Sequence, residues 1–270
     1  MERLIKIGKI KPRKASEIKN SRIGIGFEKL DRKVFNPEKA YDKLAMIGAK
    51  WVRIQSGWER TEQEKGVYDF EWLDSIVDNL LERGLVPWIN LAYGNGLYDD
   101  DAAKVFGAVG CPPVKSEEAK KGWADYITAL AAHMKGRISY YEVWNEPDGE
   151  WCWKHGPNGK EYGQFVVDTS VALKKGDSSA KVIGGAICMA KPLDFAYDAF
   201  SVGMGEHIDA ISFHEYVIDE TVVFRHVKAL RGLCNRFNPN IEIIQGESGS
   251  QSRSCLLYTS PSPRDSTSSR

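Results

Sequence analysis

The sequence predicts an α/β fold, a (β/α)8 TIM barrel truncated after strand seven, and three observations point there. Apolar runs of strand length alternate with segments of helical apolar period along most of the chain's 270 residues. Strand starts near 23, 50, 86, 138, 181, 209 and 241 recur about every 36 residues, close to the roughly 31 per unit of a barrel of about 250 residues. The third observation is a missing phosphate turn: Gly24-x-Gly26 runs into Phe27-Glu28-Lys29, without the third glycine that marks the first turn of a doubly wound open sheet. The barrel is therefore preferred to the open sheet.

Residues 22–27 make the first strand, and Asn36-Pro37 caps and opens a helix whose Tyr41, Leu44, Ala45 and Gly48 share one face. Residues 50–55 form the second strand. A polar loop over 56–70 leads to a helix near 71–83 that turns Trp72, Ile76, Val77 and Leu80 inward. The third strand, 86–91, is followed by a loop over 92–115 rich in Gly, Asp and Pro, and loops of that length in compact domains are usually functional.

Ser116 opens a helix carrying Trp123, Tyr126, Ile127, Leu130 and Met134 at the 3.6-residue period, and it hands over to a central strand at 138–143. Past Trp151-Cys152-Trp153, the span 161–175 repeats the helical pattern through Tyr162, Phe165, Val166, Thr169 and Leu173. Strand 181–184, a helix near 193–202, strand 209–213, a helix at 221–237 and strand 241–245 complete the alternation.

The end of the chain breaks the pattern. Between 250 and 270 there are eight Ser and no periodic apolar face, and 256–265 looks like translated adapter sequence. The expected organisation is an N-terminal extension at 1–21, an incomplete catalytic barrel at 22–250 and a disordered, non-native tail at 251–270. A seven-stranded chain of this kind is expected to be poorly soluble and inactive on its own, because its first and last strands lack a partner.

Acidic and basic side chains balance at 37 each, with no basic run interleaved with aromatics beyond the first dozen residues, which argues against a nucleic-acid partner. Cys111, Cys152, Cys188, Cys234 and Cys255 are odd in number and form no CxxC, so neither a disulfide framework nor a zinc site is expected. His155 and His207 show no metal-ligand spacing, and neither metal nor cofactor is expected. No segment has the length of a secretory apolar core or a membrane span, so no membrane partner is expected and a cytoplasmic location is the reading, unless the true N-terminus has been lost.

The chemistry gathers in Tyr140-Tyr141-Glu142-Val143-Trp144-Asn145-Glu146-Pro147, a buried strand that delivers an Asn-Glu pair at its C-terminal end. A second carboxylate follows the seventh strand in Gln245-Gly246-Glu247. Strand C-termini converge on one mouth of a barrel, so Glu146 and Glu247 are expected to face one another. Two carboxylates flanking a cavity suit glycosidic bond hydrolysis. His214 and Tyr216, after the sixth strand, are candidate hydrogen-bond donors to the site. Tyr93, Asn95, Tyr98, Trp144, Trp151 and Trp153 are candidates for sugar contacts, some of them expected to be packing. Glu28, Glu59 and Glu215 read as solvated loop charges or Arg partners.

Asn145-Glu146-Pro147 and Glu247 together resemble the clan A glycoside hydrolases, retaining (β/α)8 enzymes. Gly48-Ala49-Lys50-Trp51-Val52-Arg53, Trp58-Glu59-Arg60 and Lys65-Gly66-Val67-Tyr68-Asp69-Phe70 are most similar to glycoside hydrolase family 39 and its relatives, which include β-xylosidases and α-iduronidases. The resemblance implies a carbohydrate substrate, Glu146 as acid/base, Glu247 as nucleophile, Asn145 as donor to the sugar 2-hydroxyl and Arg53 beside the nucleophile. Gln245-Gly246 departs from the Thr that commonly precedes the nucleophile. The retaining mechanism further implies carboxyls about 5 to 5.5 Å apart, and a Glu146 pKa raised by burial and by the neighbouring anion. Two other readings compete: a carbohydrate-binding barrel without catalysis, which should lack one carboxylate, and a lyase or aldolase, which should place a Lys at a strand end. An inactive fragment of a hydrolase remains a further alternative.

Overall fold

The computed structural model describes residues 8, 11–188, 192–216 and 221–249. Seven parallel strands follow one another in chain order in a single sheet: β1 (Gly24–Gly26), β2 (Trp51–Gln55), β3 (Val86–Leu91), β4 (Tyr140–Val143), β5 (Lys181–Ile187), β6 (Ala210–Glu215) and β7 (Glu242–Ser248). Each connection crosses over through helices, which is what parallel neighbours require. These are α1 (Tyr41–Met46), α2 (Trp58–Thr61), α3 (Glu71–Glu82), α4 (Glu117–Met134), α5 (Gly159–Gly176), α6 (Pro192–Ser201), α7 (Met204–His207) and α8 (Thr221–Phe237). The architecture is a (β/α)8 barrel short of its eighth unit among the described residues. The tail expected at 251–270, with Cys255, lies outside them.

Local chemistry sets the boundaries. Ser116 Oγ accepts the Ala119 N–H at 3.1 Å and Asn158 Oδ1 accepts that of Glu161 at 3.0 Å, which starts α4 and α5 where orphan donors need a partner. The helix expected from Pro37 is split. Asn36 caps a short 3-10 turn at Pro37–Lys39, and α1 starts afresh at Tyr41. The loop expected to be polar over 56–70 contains α2, whose fully buried Trp58 stacks on Tyr98 and Tyr126. Part of the N-terminal extension packs on the body: Arg13 bridges Ile47, and Lys50 Nζ donates to Ala15 O at 3.1 Å.

The main core lies between sheet and helices. Strand residues facing outward, such as Val52, Ile54, Ile89, Tyr141, Val143, Val182 and Ile211, meet Leu73, Val77, Leu80, Tyr126, Leu130, Tyr162 and Leu173 from the helices. Each large side chain fully buried there contributes about 1.5–3 kcal/mol. A second, smaller cluster fills the bottom of the barrel: Trp88, Ile183 and Ala210, with Trp51, Tyr140 and Ile244 against them.

Candidate active site

Strand periodicity of two builds the site. Above the apolar floor of Trp51, Trp88 and Tyr140, the next inward positions on the same strands are Arg53, Asn90 and Glu142. The barrel interior thus changes from apolar to polar in one step toward its C-terminal mouth. Arg53 is the hub. Its Nε lies 2.7 Å from Glu142 Oε2, its Nη1 2.5 Å from Glu28 Oε1 and 2.6 Å from Glu247 Oε1, and its Nη2 donates to Asn145 Oδ1 at 2.8 Å. Burial opposes the Arg53 charge, yet Glu142, Glu28 and Glu247 together push its pKa well up, so it is a fixed cation. Asn90 Nδ2 and Ser212 Oγ complete the cage around Glu142, at 2.9 and 2.5 Å.

The pair that the sequence places at the mouth is brought together there. One carboxylate oxygen each of Glu146 and Glu247 and a ring nitrogen of His214 lie within 4.8 Å of one another. His214 Nδ1 stands 3.1 Å from Glu146 Oε1 and 3.7 Å from Glu247 Oε1. Tyr216 donates its hydroxyl to Glu247 Oε2 at 2.6 Å, and Trp151 donates its indole N–H to Glu146 Oε2. Three such ligand-type atoms could also hold a cation, a grouping that the spacing of His155 and His207 does not address. His155 instead pairs with Glu161 at 2.7 Å.

Backbone irregularities aim these groups. The β6–β7 register shifts between Phe213 and His214, so that His214 faces Glu247 across Gly246. A Cβ at Gly246 would sit 3.1 Å from both Glu142 Oε1 and His214 Nε2. This is a physical reason for Gly246 where the family pattern has Thr. Trp144 and Glu146 adopt left-handed conformations, with φ of 65° and 46°, and the Glu146 N–H is tied to Ala186 O at 3.0 Å. Strained residues of this kind persist only where their surroundings hold them.

Glu146 departs from the sequence expectation of a raised pKa. Burial does push it up, but hydrogen bonds from His214 and Trp151 outweigh burial and hold the carboxyl below its ordinary value of 4.5. Glu28 moves the other way, raised chiefly by burial against the opposing Arg53 charge.

Several expected sugar contacts are corrected. Trp144 is 0% exposed, its ring packed among Tyr93, Trp123, Trp153 and Phe165 and its Nε1 donating to Cys152 O at 2.8 Å. Asn95 is also buried, and its amide ties two loops together: Nδ2 donates to Glu62 O in the loop after β2, and Oδ1 accepts from Leu97 N in its own loop. Neither side chain faces the mouth. Trp153 belongs to the same packed aromatic cluster, and Tyr98 stacks on Trp58 with its hydroxyl donated to Glu62. Tyr93 is buried beneath the mouth, where its hydroxyl accepts from Gln55 Nε2 at 3.3 Å. Trp151 is 55% exposed, the one of these tryptophans that combines an open ring with a bond to the pair.

Among the acidic loop residues, Glu215 pairs with His226 and Glu59 takes the Gly96 backbone N–H, both away from the pair. Glu28 is an Arg partner inside the site. Sequence reading missed Glu142, Asn90 and Ser212. The signal for Glu142 was present: it is two residues from Tyr140 on a strand, hence on the same inward face.

Residues 36–230 match the sequence family described as Glycosyl hydrolases family 39. The chain belongs to this family. Over 191 residues it is 30% identical to a beta-xylosidase of Caldicellulosiruptor saccharolyticus, a match covering 64% of this chain and 38% of that protein. A beta-xylosidase of Geobacillus stearothermophilus is 29% identical over 163 residues, covering 56% of this chain and 31% of that one. The chain thus spans well under half the length of either curated relative. A family 39 beta-xylosidase structure from Caulobacter crescentus superposes with a TM-score of 0.69 at 21% identity, over 96% of this chain and 58% of that one, which is a likeness of fold. The family 39 match contains Arg53, Asn145, Glu146, His214 and Tyr216 but stops before Glu247, whose placement rests on the geometry above.

Proposed function

We propose that this family 39 chain carries the catalytic mouth of a retaining O-glycoside hydrolase, with Glu247 as nucleophile and Glu146 as acid/base. The observation that carries the reading is the approach of Glu146 and Glu247 oxygens to within 4.8 Å, with His214 beside both. Inverting enzymes need roughly 6.5–9.5 Å between carboxyls to admit a water, whereas a nucleophile must touch the anomeric carbon directly.

In the first step a Glu247 oxygen attacks the anomeric carbon, the glycosidic C–O bond breaks, and the Glu146 proton passes to the leaving oxygen. In the second, Glu146 takes a proton from a water that attacks the same carbon, and Glu247 leaves. Arg53, 2.6 Å from Glu247 Oε1, holds that carboxylate in place at the mouth. Because a guanidinium only donates, the Arg53 bond also fixes Asn145 Oδ1 inward, and of the two amide hydrogens on Nδ2 one is donated to Cys152 Sγ at 3.6 Å and the other is left to serve the sugar 2-hydroxyl. Tyr216 must release Glu247 Oε2 if that oxygen attacks.

Two curated relatives are beta-xylosidases, so aryl β-xylosides and short xylo-oligosaccharides are the first substrates to try. Hydrolysis by the full-length gene product, followed by proton NMR of the first sugar released, tests the mechanism. Release with retained anomeric configuration is expected, and release with inversion would overturn it. Among the described residues no helix is long and apolar enough to cross a membrane.

A further inference from the structure

Glu146 presents a conflict that its own surroundings resolve. As a general acid it has to offer a proton to a leaving oxygen, yet both of its oxygens already face partners: Oε1 faces His214 Nδ1 at 3.1 Å, and Oε2 accepts from Trp151. An indole N–H can only donate, so Oε2 meets it as an acceptor whatever the tautomer of His214. Oε1 points inward, toward a ring that is 1% exposed. Oε2 is on the side of Trp151, which is 55% exposed.

Trp151 is held for this contact. It follows Glu146 by five residues in the loop after β4, and its ring lies over Gly149, where an added Cβ would come within 2.5 Å of ring atoms Cε2 and Cζ2. The Glu146 carbonyl accepts the Gly149 N–H at 3.1 Å, so the loop folds back on the carboxylate that it serves.

We infer that the Trp151 indole N–H and the leaving group compete for Glu146 Oε2, which makes Trp151 a positioning residue for the acid step and its exposed ring a wall of the leaving-group side. When a glycoside is bound, its leaving oxygen takes the place of the indole N–H, Glu146 takes up a proton from water once that bond no longer favours the anion, and Oε2 changes from acceptor to proton donor. The inference rests on Glu146 being the acid/base. It also accounts for a carboxyl held below its ordinary value in the resting site, since the displaced N–H is one of the bonds that keep it there.

The other groups facing Glu146 are His214 from β6, Glu247 from β7, Cys188 following β5, and Asp148 from its own loop. All of them are retained in Trp151→Phe, which keeps an aromatic ring and removes the N–H together with part of the indole's area.

The test is the pH dependence of full-length wild type and Trp151→Phe on one alkyl glycoside, whose leaving oxygen needs the proton. The basic limb of kcat/KM reports the acid in the free enzyme and that of kcat reports it in the complex. Loss of one hydrogen bond to a carboxylate should raise the kcat/KM limb by about one pH unit. The kcat limb should stay where it is in wild type, because there the bond has already been displaced. Gly149→Ala, whose added Cβ pushes the ring from its seat while leaving every side chain that faces the Glu146 carboxyl unchanged, should reproduce the kcat/KM shift. Equal movement of both limbs would show that the bond persists in the complex, and movement of neither would show that it is not made; either result overturns the inference while leaving Glu146 as the acid. If the basic limb survives in Glu146→Ala, Glu146 is not the acid, and the proposed function falls together with this inference.

Discussion

Arg53 Nη1 and Glu247 Oε1 are 2.6 Å apart although 194 residues separate them in the chain. The same guanidinium neutralises Glu142, which is 0% exposed, so site and core share one cation. Arg53→Met is therefore expected to cost about 3–5 kcal/mol, because it strands a buried charge. Arg53→Met with Glu142→Gln should recover part of that stability and none of the activity. Urea unfolding of the single and double variants measures this, and a single variant within 1 kcal/mol of wild type, roughly the value of a surface pair, would count against the hub.

The two catalytic glutamates should fail in different ways. Glu247→Gln removes the attacking oxygen and should abolish turnover of every glycoside. Glu146→Ala should lose about 10²–10⁴-fold on alkyl glycosides, which need a proton at the leaving oxygen, and far less on nitrophenyl glycosides, which do not. Steady-state kinetics on both substrate classes decides, and equal losses would speak against Glu146 as the acid.

Stability should respond to pH with opposite signs at two carboxylates. Glu28 is raised by burial above 4.5, so the fold is most favoured while Glu28 is protonated and loses stability as pH rises through its folded value. Glu28→Gln, which cannot ionise, should melt at a higher temperature than wild type at neutral pH, with the difference fading below about pH 4.5. Glu146 is lowered, so its contribution is present above its ordinary value of 4.5 and is lost as pH falls through the folded one. Glu146→Gln should accordingly be destabilised at neutral pH and indistinguishable in acid. Melting curves from acid to neutral pH test both, and shifts of the same sign in the two variants would contradict the assigned environments.

The barrel was legible because its two periods are: β3 and α8 occupy the residues expected from the apolar pattern. The carboxylate pair was legible because each Glu follows a strand, and strand ends share a mouth. What the pattern did not carry is direction. Trp144 and Asn95 have the residue types of sugar contacts but turn into the core and the loop, because left-handed backbone at Trp144 and an amide pinned between Glu62 and Leu97 aim them there. Glu142 was overlooked because its importance comes from a partner 89 positions away.

Gly246 supplies a test of the β6–β7 irregularity. An alanine Cβ there would press on His214 Nε2 and Glu142 Oε1 at 3.1 Å, closer than ordinary contact. Gly246→Ala should cost about 1–3 kcal/mol as overpacking does and should lower kcat more than it raises KM, since His214 touches both carboxylates. A variant with wild-type kcat would show that His214 has room to move without consequence.

The open side of the sheet sets the behaviour of the isolated 270-residue chain. Among the described residues β1 pairs with β2 alone and β7 with β6 alone, and Arg53 bridges the gap between them only at the mouth, through Glu28 and Glu247. Apolar side chains are exposed on the elements bordering that gap: Ile23 beside β1 at 64%, Tyr216 after β6 at 58% and Phe224 on α8 at 74%. Unpaired strand edges with apolar neighbours recruit further strands, so the chain is expected to self-associate as its concentration rises. Ile23→Lys places a charge beside the β1 edge without entering the core and should increase the fraction of monomer. Light scattering coupled to gel filtration over a concentration series tests this, and a wild-type chain that stays monomeric throughout would show that the gap is covered.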